Sequence, residues 1–170
     1  MSILVVIRGN SGSGKSTVAS AVQRLFPRGR CLLVPQDIVR RHMLREYDTP
    51  SGGNVELIER IAGFGLERGL VVVVEGILSV GHYGGMLERL SGLAEFAFHY
   101  SFDLTFEETL VRHAGRKQAG EFGAVEMAGW YHGWQPLGFV DEVRIDVGWG
   151  VGDVVERIHR DVLGVSPWPS

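Results

Sequence analysis

Continuous apolar runs alternate along the chain with segments in which apolar residues recur every three or four positions. The run ILVVIR (3–8) has the pattern of a strand buried on both faces. Further strands are predicted over CLLVP (31–35), LVVVVE (70–75), EFAFHYSF (95–102) and EVRIDV (142–147). Helices are predicted between them, over 15–26, 36–46, 54–68, 82–90, from 105 onward and over 153–163. This alternation predicts an α/β fold with a mostly parallel sheet and helices on both faces.

Several helix boundaries carry their own sequence signals. Pro27 cannot continue the first helix and should end it. The breaker TPSGGN (49–54) ends in Asn54, which is predicted to cap the next helix. Thr105 and Glu108 have the spacing of a capping box. The helical period is lost over 115–123, which predicts a loop flanked by helices.

Composition narrows the class of protein. The 170 residues suit one domain, 1–170, and an apolar share of 45% is enough for a core. A net charge of −3 and the absence of a long basic run argue against a nucleic-acid partner. With Cys31 as the single cysteine, no internal disulfide or thiolate metal cluster can form. No apolar run or leader-like start indicates a membrane partner, so we expect a cytoplasmic protein. Oligomeric state is left open.

The stretch IRGNSGSGKSTVA (7–19) places Gly9, four further residues and then Gly14-Lys15-Ser16 directly after the first strand. Glycines let backbone N–H groups converge on phosphate oxygens, and the following helix points its positive end at them. Lys15 can reach the β and γ phosphates, while the Ser16 hydroxyl suits Mg²⁺. This spacing predicts a nucleoside triphosphate site formed by Gly9, Asn10, Ser11, Gly12, Ser13, Gly14, Lys15, Ser16 and Thr17.

Other motifs bear on what happens to the nucleotide. The chain lacks the Asn-Lys-x-Asp guanine box of GTPases and the Leu-Ser-Gly-Gly-Gln stretch of ABC ATPases. It does carry carboxylates just past three predicted strands, at Asp37, Glu75 and Asp103. In open α/β sheets that edge is where ligands bind. The missing guanine box is therefore the one feature of the sequence that favours ATP over GTP as the nucleotide.

On the phosphate loop and the order of these elements, the chain resembles the small P-loop kinases, in the group with chloramphenicol phosphotransferase, the zeta toxins and the shikimate and gluconate kinases. The resemblance implies a single three-layer domain with strand order 2-3-1-4-5, a helical lid at about 112–135, and phosphate transfer from ATP with Mg²⁺. It further implies that Asp37 activates the acceptor hydroxyl, that the lid residues Arg112 and Arg116 contact the phosphates, and that the loop 148–150 holds the adenine. Trp149 in that loop has two possible roles, to lie on the adenine or to cover the core.

Two carboxylates compete for the role of general base. Asp37 is the base by resemblance, although its position also suits a helix cap. Glu75 is assigned with Ser16 to the metal, but in deoxynucleoside kinases a Glu at this strand end is itself the base. Asp103 lies just before the capping box and is expected to have a structural role.

Candidate acceptor contacts are Arg40, Arg41, His82, Tyr83, Trp130 and Trp134. Trp130 and Trp134 also have the spacing of core residues on a helix, so a place in the core and a place in the acceptor pocket both stay open. The acceptor expected first is an antibiotic or nucleoside-type natural product, which would make the enzyme a self-resistance kinase. A primary metabolite or nucleotide sugar comes next. The competing class is a non-catalytic nucleotide-binding regulator, which would need Lys15 but not Asp37 and two lid arginines.

Overall fold

A five-stranded parallel sheet forms the centre of the molecule. The computed structural model describes residues 1–50, 52–114 and 123–165. Within them the strands are β1 (Ile3–Gly9), β2 (Cys31–Pro35), β3 (Val71–Gly76), β4 (Phe96–Phe102) and β5 (Val143–Ile145). Their order is β2-β3-β1-β4-β5, and every neighbouring pair is parallel. The predicted fold class and strand order are confirmed.

Helices follow the strands in turn. They are α1 (Lys15–Arg24), a π-helix (Ile38–Leu44), α2 (Gly53–Glu67), α3 (Val80–Leu93), α4 (Phe106–Ala114), α5 (Ala124–Trp130) and α6 (Val151–Val165). Among the described residues, none of them is both long and apolar enough to cross a bilayer.

Alternation along β1 divides the core into two layers. Ile3, Val5 and Ile7 point to one face, where they pack with buried residues of α1 and α6 such as Val22 and Ile158. The intervening residues Leu4 and Val6 point to the other face and pack with buried residues of α2 and α3. Because side chains alternate along a strand, an apolar run covered on both faces must bury every residue, and β1 does.

Three elements depart more than the others from their predicted type or limits. The segment after β2 is π-helical and ends at Arg45, which has a left-handed φ of 54°. α3 extends from Val80 to Leu93 across its glycines, because burial of Met86, Leu87 and Leu90 stabilises the helix more than the glycines weaken it. β5 is limited to Val143–Ile145, the part that pairs with β4.

The predicted cap of α2 is wrong. Asn54 lies inside the helix, fully buried, and Gly52 occupies the cap position without a side chain to offer. Glu46 supplies the cap from a distance, since its carboxylate accepts the N–H groups of Gly53 at 3.2 Å and Asn54 at 2.5 Å. Interaction with Asn54, first through its side chain and then through its N–H group, holds the pKa of the Glu46 carboxyl below its usual range, and the Gly53 N–H adds to this effect. By contrast, the Thr105–Glu108 capping box is confirmed, with reciprocal bonds of 2.8 and 3.2 Å.

Candidate functional site

The loop between β1 and α1 has the backbone that the phosphate motif predicts. Gly12 and Gly14 adopt φ angles of 79° and 107°, which side chains disfavour. Gly9 is required for a different reason, because a Cβ there would lie 2.8 Å from the Cβ of Phe102. Gly14 precedes α1 with no side-chain cap and no acidic residue in the first turn. The first N–H groups of α1 are therefore left for an anion.

Lys15, Ser16 and Glu75 meet at the start of α1. Lys15 is buried, and its Nζ donates to the carbonyl of Asn10 at 3.2 Å. The Ser16 hydroxyl donates to Glu75 Oε2 at 3.2 Å. Glu75 is the penultimate residue of β3, and 5% of its surface is exposed. Burial raises the pKa of the Glu75 carboxyl; the Lys15 charge and the Ser16 hydrogen bond oppose the rise, and the charge of Asp37 adds to it.

Asp37 follows β2 at the same edge of the sheet. Its side chain is 54% exposed and makes no capping bond, although it sits at the cap position of the π-helix. Its Oδ1 lies 3.2 Å from Arg40 Nη2 and 3.5 Å from Arg41 Nε. Both guanidinium groups contact Oδ1, and the described residues offer Oδ2 no hydrogen bond. The structure thus favours a carboxylate facing the site over a helix cap.

A cleft of about 680 Å³, here called the arginine cleft, opens beside Asp37. It is lined by Arg40, Arg41, Arg45, Glu46, Tyr47, Asp48, Ile77, Trp130 and His132. The Arg41 guanidinium lies 5.1 Å from the centre of the Trp130 ring. Arg40 is largely buried, and its Nε has no hydrogen-bond partner among the described residues. Of the predicted acceptor contacts, Arg40, Arg41 and Trp130 therefore line one cleft.

A buried hydrogen-bond network supports the wall of the arginine cleft. The Tyr83 hydroxyl accepts from Gln36 Nε2 and contacts Asp48 Oδ1 and Asn54 Oδ1, each at 2.9 Å. The same Asp48 oxygen lies 3.1 Å from His82 Nδ1. Burial raises the pKa of the Tyr83 hydroxyl, with a further rise from Asp48. Tyr83 is fully buried, so the predicted direct contact with an acceptor is corrected to support of Asp48.

Trp134 also departs from its predicted place. It does not line the arginine cleft, and the Arg144 guanidinium stacks over its ring at 4.5 Å from the centre. Arg144 in turn pairs with Asp103, which fits the structural role expected for that carboxylate. Trp134 lies away from the cleft because α5 ends at Trp130 and the chain then runs toward β5.

Arg112 joins the phosphate loop to the loop before α6. Its Nη1 donates to the Ser13 carbonyl at 2.8 Å, and its Nη2 donates to the carbonyls of Trp149 at 3.1 Å and Val147 at 3.4 Å. Trp149 is half-buried and packs on the core beside α1. Arg112 thus lies next to the phosphate loop, whereas the Trp149 ring packs on the core. Contact of Trp149 with the adenine stays a prediction. The other predicted lid arginine, Arg116, lies outside the described residues.

A buried ion pair that the sequence pattern did not predict lies behind the site. Arg8, the last residue of β1 before Gly9, lies with Nη1 3.5 Å from Glu142 Oε1, and both side chains are nearly inaccessible. Burial lowers the pKa of Arg8 and raises that of Glu142. Arg8 also donates to the Gln135 carbonyl at 2.6 Å. A lone charge at the end of an apolar strand was the available signal, as it was for Glu75.

Ser16 and Glu75 fit a magnesium ion. Both offer oxygen atoms, and Mg²⁺ takes oxygen ligands, few of them from protein and the rest from phosphates and water. Glu75 is a buried carboxylate whose ionised form a cation would stabilise. In the part of the chain that the structure describes, no three His, Cys, Asp or Glu side chains gather into a larger metal site.

Solved structures share this fold. No protein-family model matches the chain, and no curated protein matches it in sequence. The APS kinase of Mycobacterium tuberculosis, in complex with AMPPNP and APS, superposes with a TM-score of 0.71 at 19% identity over 96% of this chain and 98% of its own. A gluconokinase from Sinorhizobium meliloti gives 0.64 at 19% identity over 95% and 96%. A candidate kinase from Chloroflexus aurantiacus gives 0.70 at 15% identity over 96% and 97%. The chain therefore has the fold of the single-domain P-loop kinases.

Proposed function

We propose that this protein is an ATP- and Mg²⁺-dependent phosphotransferase that acts on a hydroxyl group of a small molecule bound in the arginine cleft. One observation carries the proposal: a phosphate loop with Lys15, Ser16 and Glu75 lies at the same sheet edge as the exposed carboxylate of Asp37. The shared fold with solved kinases, one of them holding AMPPNP, supports the same conclusion.

The reaction follows from the roles of these groups. The acceptor oxygen attacks the γ-phosphorus, the bond from that phosphorus to the β–γ bridging oxygen breaks, and ADP leaves. Asp37 takes the proton of the hydroxyl. Because phosphoryl transfer needs positioning and neutralised charge more than covalent help, Lys15 and the N-terminus of α1 hold the phosphates.

Asp37 is the better base of the two carboxylates. Its Oδ2 is open to an acceptor hydroxyl while Arg40 and Arg41 fix the other oxygen. Glu75 is buried and already accepts from Ser16, which suits a metal-linked role. When bound, Mg²⁺ would neutralise charge on the β and γ phosphates, with Ser16 and Glu75 as the residues that hold it.

The arginine cleft favours an anionic acceptor. Glu46 in its wall is engaged by the N–H groups of α2, and Asp48 by Tyr83 and His82. The structure describes no ion pair for Arg45, whose side chain is exposed in the cleft. Arg40 and Arg41 already pair with Asp37, so Arg45 is the guanidinium of the cleft that remains to bind a carboxylate or phosphate of the acceptor.

This charge balance bears on the choice of acceptor class. An antibiotic or nucleoside-type natural product remains the first candidate from the sequence. The arginine cleft supports the second candidate, a primary metabolite or nucleotide sugar that carries an oxyanion, and the match to an APS-bound kinase supports it too.

Incubation with ATP, Mg²⁺ and a mixed library tests the proposal. The library has one arm of neutral hydroxylated natural products and one of anionic metabolites and nucleotide sugars, and mass spectrometry seeks an added phosphate. Lys15→Ala is the inactive control. Arg45→Ala should impair an anionic acceptor, whereas Arg60→Ala, on the outer surface of α2, should not. If ATP binds but no compound gains a phosphate, the non-catalytic regulator becomes the better explanation.

A further inference from the structure

Residues 131–142, here called the strap, run from the end of α5 to the start of β5 without regular secondary structure. The strap begins beside the arginine cleft, which Trp130 and His132 line. It ends in the protein interior, where Leu137 is buried and its N–H donates to Glu142 Oε2 at 2.9 Å.

The far half of the strap is fixed to the sheet. Arg8 donates to the Gln135 carbonyl and pairs with Glu142, so one β1 residue holds two strap residues. The Gln135 side chain accepts the N–H of Val80, the first residue of α3, at 3.4 Å. Phe139 packs edge-on against His99 of β4, with ring centres 5.7 Å apart.

The near half of the strap is fixed to the phosphate loop by one side chain. Asn10 Oδ1 accepts the His132 N–H at 2.9 Å, and Asn10 Nδ2 donates to the Gly133 carbonyl at 3.5 Å. Gly133 has a φ of 67°, a conformation that brings both strap groups to the same amide. The Asn10 side chain is buried and faces the strap. Of the groups of Asn10, the backbone is therefore the one expected to contact the nucleotide.

The backbone of Asn10 belongs to the phosphate loop. Its carbonyl accepts from Lys15 Nζ at 3.2 Å and from the Ser13 N–H at 3.3 Å. Phosphate bound by Lys15 and the loop N–H groups would order this backbone. Because the side chain of the same residue holds His132, the order passes to the strap and to the adjoining wall of the arginine cleft.

We propose that Asn10 is a positioning residue that couples occupancy of the phosphate loop to the shape of the arginine cleft through the strap. The coupling rests on the proposed function only in that a nucleotide must bind the loop. Coupling of this kind is reciprocal, so a molecule that orders the strap would also tighten nucleotide binding.

Amide exchange by NMR, with and without saturating AMPPNP and Mg²⁺, tests the coupling. In the wild-type protein, nucleotide should slow exchange of the His132 amide by about fivefold or more, the scale that one ordinary hydrogen bond supplies. In Asn10→Ala, at a nucleotide concentration shown to saturate that variant, the loop amides 11–16 should still be protected and the His132 amide should not respond.

Tyr131→Phe is the matched control. It removes a strap hydrogen bond, from the Tyr131 hydroxyl to the Leu104 carbonyl at 3.0 Å, without touching Asn10. Its His132 amide should exchange faster overall and keep its response to nucleotide. Protection of the sheet amides 3–7 confirms that each variant is folded.

The possible results separate the two proposals. If AMPPNP protects no loop amide in the wild-type protein, nucleotide binding and the proposed function fail together. If the loop is protected but the His132 amide does not respond, the coupling is overturned and the proposed function stands. A response that persists in Asn10→Ala also overturns the coupling, since it would reach the strap without this side chain.

Discussion

The Ser16 hydroxyl donates a hydrogen bond to Glu75 Oε2 at 3.2 Å, which joins the first turn of α1 to the penultimate residue of β3. The bond places a hydroxyl and a buried carboxylate side by side where the phosphate loop ends. Asp37, a second carboxylate of the same sheet edge, lies on the side of the arginine cleft, where it pairs with Arg40 and Arg41. The two carboxylates should therefore respond differently to loss of charge.

Asp37→Asn should leave ATP binding intact and lower kcat by about 10²-fold or more, the usual scale for a general base. The amide is nearly isosteric, and the native carboxylate caps no helix, so the fold should survive. Steady-state kinetics with the acceptor found by mass spectrometry would measure the loss. An Asp37→Asn enzyme with normal kcat would end the assignment of the base.

Glu75→Gln should raise the Mg²⁺ concentration needed for half-maximal turnover, and excess Mg²⁺ should partly restore kcat. The physical reason is that an amide oxygen attracts a cation less than a carboxylate does. Titration of kcat against Mg²⁺ gives the shift. A variant that is inactive at every Mg²⁺ concentration, together with an active Asp37→Asn, would instead identify Glu75 as the base.

Lys15→Ala should abolish turnover and weaken ATP binding, because the substitution removes the positive charge expected on the β and γ phosphates. Calorimetric binding of AMPPNP and a turnover assay measure the two effects. Arg24→Ala, in the last turn of the same helix, controls for loss of a charge from α1. Wild-type turnover in Lys15→Ala would contradict the kinase proposal.

Arg112→Ala should lower kcat more than it raises KM for ATP, since a charge beside the loop acts most where transition-state charge develops. Arg112→Lys should restore only part of the loss. A lysine keeps the charge but cannot bridge the Ser13 and Trp149 carbonyls as the guanidinium fork does. Full activity in both variants would show that Arg112 serves only to hold the two loops together.

Stability should fall between pH 6.5 and 4 through His99. Burial, and secondarily the Arg8 charge, lower the pKa of this imidazole from 6.5 to about 4. The unfolded chain therefore binds a proton in this range that the folded protein does not, and the stability present above pH 6.5 is lost on acidification. Urea unfolding should show the free-energy gap between wild type and His99→Gln shrinking as pH falls. A gap that is constant with pH would mean that His99 titrates normally in the fold.

The sequence predicted features that depend on local spacing. The phosphate loop needs glycines, Lys15 and Ser16 within one short segment, and the parallel sheet follows from the regular alternation of elements. The order of its strands was predicted by the resemblance to the small P-loop kinases. The convergence of Asp37 and Glu75 was also predictable, because residues that follow parallel strands share one edge.

Features that depend on distant partners were not predictable. Arg8 and Glu142 are far apart in the chain, and nothing local marks one as the partner of the other. The cap of α2 was assigned to Asn54 on its residue type, but a carboxylate from the preceding loop satisfies the same N–H groups. Tyr83 was predicted to contact the acceptor because it comes soon after β3. In the structure it lies on the buried face of α3, and its hydroxyl bonds to Gln36 in the interior.

Because Glu46 has two roles, attempts to redesign acceptor specificity at this position affect stability as well. Its side chain lines the arginine cleft and also caps α2 from the preceding loop, so a library that varies this position selects for stability before it selects for a new acceptor. Loss of a helix cap costs about 1 kcal/mol, enough to remove many variants from a marginally stable population. Tyr47, the next residue, lines the same cleft with 88% of its surface exposed and makes no described hydrogen bond. Directed evolution of the acceptor preference should therefore start at Tyr47, where diversity is nearly free of cost to the fold.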